Sequence, residues 1–71
     1  MKSFDFEAMS RRLSELRKQS GLTQEDVGKH FGVTRQAVCY MEKHPKMLSI
    51  EKINALASLY GCNPTDFFAE L

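Results

Sequence analysis

A glycine between two short amphipathic segments is the feature that most limits how this chain can fold. It is Gly32, within the stretch LTQEDVGKHFGVTRQAVCYME at residues 22–42. Thr23 and Thr34 are each suited to cap the start of a helix, and acidic residues follow Thr23 in the manner of a capping box. Glycine adopts positive φ without penalty, so Gly32 lets the chain leave one helix and turn sharply into the next. The pattern predicts two short helices joined by a tight turn.

Helical periodicity predicts further helices on both sides of this pair. One apolar stripe in the first segment is Phe6, Met9, Leu13 and Leu16, and a later stripe is Ile50, Ile53, Leu56, Ala57 and Tyr60. Ser49 and Gly61 are suited to begin and end the second of these helices. Asn63 as a cap and Pro64 at the first helical position predict a short fifth helix. The chain is therefore predicted to be an all-α domain of five helices spanning residues 1–71.

Length and composition exclude several classes of protein. Seventy-one residues hide only about 60% of the surface that the unfolded chain exposes, which leaves room for one small core and disfavours a deep catalytic cleft. The chain is 42% hydrophobic and 27% charged, as in ordinary soluble proteins. It has no apolar run near the ~20 residues of a membrane span, and its start lacks a signal-peptide pattern, so we expect a cytoplasmic protein without membrane association.

Cysteine and histidine residues give no pattern typical of a cofactor or metal site. Cys39 and Cys62 are expected to be reduced thiols in the cytoplasm, although one disulfide is an alternative. These cysteines and His30 and His44 lack the paired short spacings of a zinc site. We predict neither a metal nor a cofactor.

Charge is distributed unevenly along the chain. Residues 1–46 hold nine Lys and Arg against six Asp and Glu, and residues 47–71 hold one against three. This asymmetry indicates a basic binding surface at one end of the fold, and a solvated face of mixed charge is the commoner alternative.

The segment LTQEDVGKHFGVTRQAVCYMEK resembles the Cro and lambda-repressor family of helix-turn-helix proteins. It carries the Leu-Thr-Gln-Glu opening, the glycine at the turn, and the Val and Met-Glu of the second helix, and the resemblance continues through LSIEKINALASLYGCNPTDFF. It implies a compact five-helix lambda-repressor-like fold with the helix-turn-helix at about residues 23–43, which would place the second helix in a DNA major groove. Gly28 is a departure, because the family usually has Ala there; both residues are small enough for close helix contact.

The resemblance places three residues at the base edges of DNA: Arg35, Gln36 and Cys39. Arginine matches guanine and glutamine matches adenine through paired hydrogen bonds, and a thiol can contact a thymine methyl group. The alternative for Arg35 and Gln36 is an ordinary solvated helix surface. The alternatives for Cys39 are a half-buried filler and a redox-sensitive thiol.

Five further residues are expected to contact the DNA backbone: Gln24, Thr34, Tyr40, Lys43 and Lys46. Such contacts set the register of the protein on DNA without reading sequence. Solvated side chains, or a partly buried ring for Tyr40, are the alternatives. Arg17 and Glu42 match a family pair that forms an internal salt bridge between the first helix of the chain and the second helix of the helix-turn-helix. The fifth helix carries more large apolar residues than two turns can bury, which predicts a homodimer interface formed by Phe67, Phe68 and Leu71; completion of the core by all three is the alternative.

The predicted function is sequence-specific binding of double-stranded DNA, as a transcriptional regulator that represses from a palindromic operator as a homodimer. The alternative is an antitoxin-like protein-interaction module of a toxin pair, with a protein partner and autoregulatory DNA binding. An enzyme is disfavoured, because the cysteines and histidines fall on different helices of a domain too small for a deep cleft.

Overall fold

The computed structural model describes residues 5–68, which form four α-helices and two short 3-10 helices. The α-helices are α1 (Phe6–Gln19), α2 (Gln24–Phe31), α3 (Arg35–Lys43) and α4 (Ile50–Tyr60). The 3-10 helices are Pro45–Met47 and Pro64–Phe68. The described part of the chain contains no strand, in agreement with the predicted all-α class.

Side chains cap each of the four α-helices, and the caps of α2, α3 and α4 are the residues that the sequence predicted, Thr23, Thr34 and Ser49. Asp5 accepts hydrogen bonds from the amides of Glu7 and Ala8, and Ser49 accepts one from Lys52. Thr34 accepts one from the amide of Ala37. These bonds satisfy amides that would otherwise lack an intrahelical partner, so the helix starts are fixed by local sequence.

The turn between α2 and α3 is as tight as the glycine break suggested. Gly32 has φ of 71°, a left-handed conformation that costs other residues about 1–2 kcal/mol. Gly28 lies opposite the turn, and a Cβ atom placed there would be 2.7 Å from the carbonyl oxygen of Val33. Position 28 is therefore closer to backbone than the resemblance alone indicated, and an Ala side chain there would require that backbone to shift.

The core draws a buried side chain from every α-helix and from the last 3-10 helix. Its members are Met9, Leu13, Val27, Val38, Ile53, Leu56, Ala57, Tyr60 and Phe67. Burial of one large aliphatic side chain of this kind stabilises the fold by about 1.5–3 kcal/mol. Because Val27 and Val38 both reach this common core, the helix-turn-helix is held as part of the whole fold and not as an isolated hairpin.

The predicted fifth helix is a correction to the helix count. Residues Pro64–Phe68 form a 3-10 helix, and the Asp66 carboxylate accepts a hydrogen bond from the Asn63 amide. Pro64 begins the helix as predicted, and Asn63 takes part through its backbone N–H, but a local start signal does not determine how many turns follow. Four α-helices therefore lie within residues 5–68.

Phe67 lies in the core of the single chain and not on its surface. Only 1% of it is exposed, and its ring meets that of Tyr60 edge to face at 6.2 Å between centroids. This placement removes Phe67 from the predicted dimer interface, because the tight 3-10 turn directs its ring inward to close the core. Phe68 is 40% exposed, and Leu71 lies outside the described residues.

Across residues 5–68, no helix combines the length and the apolar character needed to span a bilayer.

Candidate nucleic-acid interface

Helix α3 has two faces with opposite surroundings. On the inner face, Val38 and Glu42 are buried. On the outer face, Arg35 and Gln36 are exposed, as is Tyr40. The burial of the inner face fixes the rotation of α3 about its axis, so the first turn of the helix presents Arg35 and Gln36 to solvent.

A buried ion pair joins α1 to the inner face of α3. Arg17 Nε donates a hydrogen bond to Glu42 Oε2 at 2.6 Å, and Arg17 Nη1 donates to the carbonyl oxygen of Leu22 at 2.9 Å. Both charged residues are 7% exposed, and a pair this well buried depends on hydrogen bonds to offset its lost hydration. The structure thus brings together the two residues that the resemblance paired. It also holds the charge of Glu42 away from the outer face of α3.

Gln24 connects this ion pair to the outer face. Its Nε2 donates to Glu42 Oε1 at 3.0 Å, and its Oε1 accepts a bond from Arg35 Nη1 at 3.4 Å. A chain of polar contacts therefore runs from the buried Arg17 to the exposed Arg35. Gln24 was predicted to contact the DNA backbone, and nothing in the sequence indicated that its amide also contacts two residues of α3.

The remaining predicted DNA-facing residues lie on or beside α3. Cys39 is half-buried and Lys43 is exposed, while Lys46 is exposed in the first 3-10 helix. Thr34 is exposed, and its hydroxyl is engaged in capping α3. The Tyr40 ring is 54% exposed and lies 4.4 Å from the His44 ring, centroid to centroid. The surface around α3 therefore offers cations and polar groups together with an aromatic ring.

A groove of about 350 Å³ runs between α1 and α3; it is called the α1–α3 groove below. Its lining includes Ser10, Arg11, Ser14, Gln24, Cys39 and Lys43. Three of these lie on α1, and the sequence did not single them out, because α1 was interpreted only through its apolar stripe. The signal that could have found them is the polar stripe of α1, which repeats at helical spacing beside the apolar one.

The two predicted groups of surface residues are separate in the structure. Arg35, Cys39 and Lys43 share α3, whereas Phe68 lies in the last 3-10 helix, after α4.

Cys39 and Cys62 are both free thiols. Within the described residues, no cluster of three or more His, Cys, Asp and Glu side chains is arranged to hold a metal ion.

Comparison with protein families gives one match over most of the chain. The family model described as helix-turn-helix matches residues 13–67. This range includes α2 and α3, the turn at Gly32, and the Arg17–Glu42 pair.

Curated proteins similar to this chain are transcriptional regulators by name. The chain is 33% identical over 63 residues to the HTH-type transcriptional regulator PuuR of Escherichia coli (strain K12), an alignment that covers 89% of this chain and 34% of that protein. PuuR of Shigella flexneri gives the same values. The chain thus spans about a third of the length of these relatives.

A third relative is similar to this chain in length. It is an uncharacterized HTH-type transcriptional regulator of Archaeoglobus fulgidus, 30% identical over 60 residues, which are 84% of this chain and 86% of that protein. No solved structure matches the chain significantly.

Proposed function

The chain belongs to the Cro/C1-type helix-turn-helix family, and from this premise we propose that it reads a specific DNA sequence through the outer face of α3. Membership indicates a DNA-binding regulator of transcription and not an enzyme. The finer proposal is a cytoplasmic repressor that binds a palindromic operator as a homodimer.

The observation that carries this proposal is the exposure of Arg35 and Gln36 on a helix whose other face is locked. Both side chains lie in the first turn of α3 and point away from the core, and the first turn of a recognition helix is the part that reaches base edges. Arginine binds guanine through two parallel hydrogen bonds, and glutamine binds adenine in the same way. Cys39, one turn after Arg35, is assigned a contact with a thymine methyl group.

The proposed backbone contacts surround this reading surface. Gln24 and Thr34 lie at the starts of α2 and α3, and Tyr40, Lys43 and Lys46 lie along and beyond α3. Cations at such positions neutralise phosphates and release counterions, which makes the affinity depend on salt. They fix the register in which Arg35 and Gln36 meet the bases.

We assign a homodimer because one reading helix covers only a short stretch of DNA. Nine residues of α3 read one half-site, and a twofold operator places the second half-site about 34 Å away. Phe68 is 40% exposed, and we assign it to the subunit interface together with Leu71. Sedimentation velocity should show a dimer for the wild-type chain and a shift toward monomer for Phe68→Asp; a wild-type chain that stays monomeric on operator DNA would refute this part.

Selection of bound duplexes from a random pool tests the function directly. We expect a palindromic consensus, and fluorescence anisotropy with that duplex then measures affinity. Arg35→Ala should lose about 1–3 kcal/mol of discrimination at one base pair of each half-site. Lys43→Ala is the matched control, because it should weaken binding to all duplexes and lower the salt slope by about one.

The two variants separate base reading from phosphate binding. Both residues are exposed, so neither variant should lose stability, which thermal unfolding checks. An equal loss on every duplex for Arg35→Ala would contradict its base-reading role.

Repression itself is measured by placing the selected operator upstream of a reporter gene, where expression of the wild-type chain should lower reporter output.

A further inference from the structure

We propose that Arg11, on α1, binds a phosphate of the same DNA duplex from the α1–α3 groove, opposite Lys43. The inference rests on the proposed function and extends the DNA-binding surface from the helix-turn-helix to α1. It assigns a role to a residue that the sequence interpretation did not include.

Arg11 lies in a groove that also contains residues assigned to DNA. Arg11 and Lys43 line the α1–α3 groove together with Gln24 and Cys39, all three of which are already assigned to DNA. A neighbouring hollow of about 440 Å³ also shares Arg11 and Lys43. A backbone that contacts Lys43 on one wall therefore lies beside Arg11 on the other.

The guanidinium groups of Arg11 and its neighbour Arg12 differ in their contacts within the fold. Arg12 donates from Nε to the carbonyl oxygen of Asp66 at 3.2 Å and pairs with Glu15, so it fastens α1 to the last 3-10 helix. Arg11 is exposed, and its guanidinium group makes no hydrogen bond or ion pair with any residue between positions 5 and 68. A guanidinium group without an internal partner is available for two-pronged binding of a phosphate.

Polar contacts between α1 and α3 hold the α1–α3 groove in shape. The Ser10 hydroxyl donates to the carbonyl oxygen of Glu42, and Arg17 pairs with the carboxylate of the same residue. Two polar contacts thus fasten α1 to α3 at the floor of the groove. Because the walls of the groove are fixed before DNA binds, less conformational entropy is lost when the phosphate contact forms.

Glu7 makes the proposal sharper, because it lines the same groove one helical turn before Arg11. Its carboxylate repels a phosphate that Arg11 attracts. Removing each charge should therefore change DNA affinity in opposite directions.

The experiment measures the salt dependence of binding by fluorescence anisotropy, with the operator duplex recovered by selection and with a scrambled duplex of equal length. Arg11→Gln should lower the salt slope by about 0.9 and weaken binding to both duplexes about three- to tenfold at 0.1 M salt. Arg11→Lys should keep the slope and lose less affinity, because it retains the charge without the planar fork. Glu7→Gln should tighten binding about twofold.

Lys29→Gln is the matched control, since Lys29 is an exposed cation on α2 that does not line the groove. It should leave the slope near the wild-type value. Equal slopes for Arg11→Gln and Lys29→Gln would overturn the inference while the proposed function stands. Wild-type chain without salt-dependent binding to either duplex would refute both.

Discussion

The two faces of α3 differ in their surroundings: one packs inside the fold and the other meets solvent. The inner face, with Val38 and Glu42, is buried against the core and paired with Arg17 on α1. The outer face, with Arg35 and Gln36, is exposed to solvent, and the contact between Arg35 and Gln24 is long at 3.4 Å. One helix of nine residues thus carries a buried face that packs within the fold and an exposed face to which we assign DNA recognition.

This difference predicts how substitutions should divide. A change on the inner face should lower the free energy of unfolding, and it should alter DNA binding only through the loss of folded protein. A change on the outer face should alter binding and leave unfolding unchanged. Gln24 is the exception, because its amide contacts Glu42 on one side and Arg35 on the other.

The largest effect is expected for Glu42→Ala, on the inner face. It removes the acceptor of the Arg17 hydrogen bonds and leaves a buried guanidinium group without its counter-charge. Loss of one partner from a buried pair costs about 3–5 kcal/mol, which is much of the 5–15 kcal/mol that stabilises a typical domain. Urea unfolding followed by circular dichroism measures this loss.

Lys43→Ala is the control for this measurement, because Lys43 is the next residue along α3 and is exposed. Its free energy of unfolding should stay within about 0.5 kcal/mol of the wild-type value. A Glu42→Ala variant that loses less than 1 kcal/mol would mean that the ion pair adds little to the fold. The division between the two faces would then rest on Val38 alone.

The next effect concerns the turn that sets α3 against α2. Gly28→Ala brings a gain in helix propensity of about 1 kcal/mol, but its Cβ would lie 2.7 Å from the carbonyl oxygen of Val33. Overpacking of this kind costs about 1–3 kcal/mol, so we expect a net loss of about 1 kcal/mol in urea unfolding. A more stable variant would show that the turn opens by a few tenths of an ångström at little expense.

The helix starts could be predicted from the sequence because capping is a local interaction. The hydroxyl of Thr23 or Ser49 accepts a hydrogen bond from a backbone amide three residues away. Both partners of each bond therefore lie within one short stretch of sequence. The turn at Gly32 is local in the same sense, since it depends on the φ angle of one residue.

What the sequence did not reveal depends on contacts between distant residues. The apolar surplus at Phe67 and Phe68 gave no means to decide which ring enters the core, because that depends on where Tyr60 lies. The side-chain contacts of Gln24 join α2 to residues near both ends of α3, and the α1–α3 groove forms only where those two helices lie side by side. Local patterns do not contain such geometry.

A smaller, kinetic effect is expected at Cys39, which lies between the two faces of α3. DNA on the outer face should cover the α1–α3 groove, so a saturating operator duplex should slow alkylation of Cys39 by iodoacetamide several-fold. Cys62 is the internal control: it follows α4, and burial raises the pKa of its thiol, so it should react slowly with or without DNA. Mass spectrometry of the two peptides gives both rates. Equal slowing of both thiols would mean that DNA binds at another surface or that the whole domain becomes less accessible on binding.

The smallest effect compares the starts of α2 and α3. At α2, the Asp26 carboxylate accepts a hydrogen bond from the Thr23 amide at 2.9 Å, and this bond lowers the pKa of Asp26. A pKa lowered by folding adds stability above the unfolded-state pKa, and that stability is lost as the pH falls through the folded-state pKa. At α3, the matching position is Ala37, whose amide bonds Thr34, so that cap has no acid to titrate.

Asp26→Asn therefore separates the two helix starts by pH. Between about pH 6 and about pH 3, the wild-type chain should lose slightly more unfolding free energy than the variant, because only the wild-type chain protonates a carboxylate that folding holds ionised. Urea unfolding at each pH measures the difference. Identical pH profiles would mean that the amide of Thr23 is equally well satisfied by water. In that case, having Ala37 in place of an acidic residue would not change the stability of α3. It would only leave the positive start of α3 free to bind an anionic ligand.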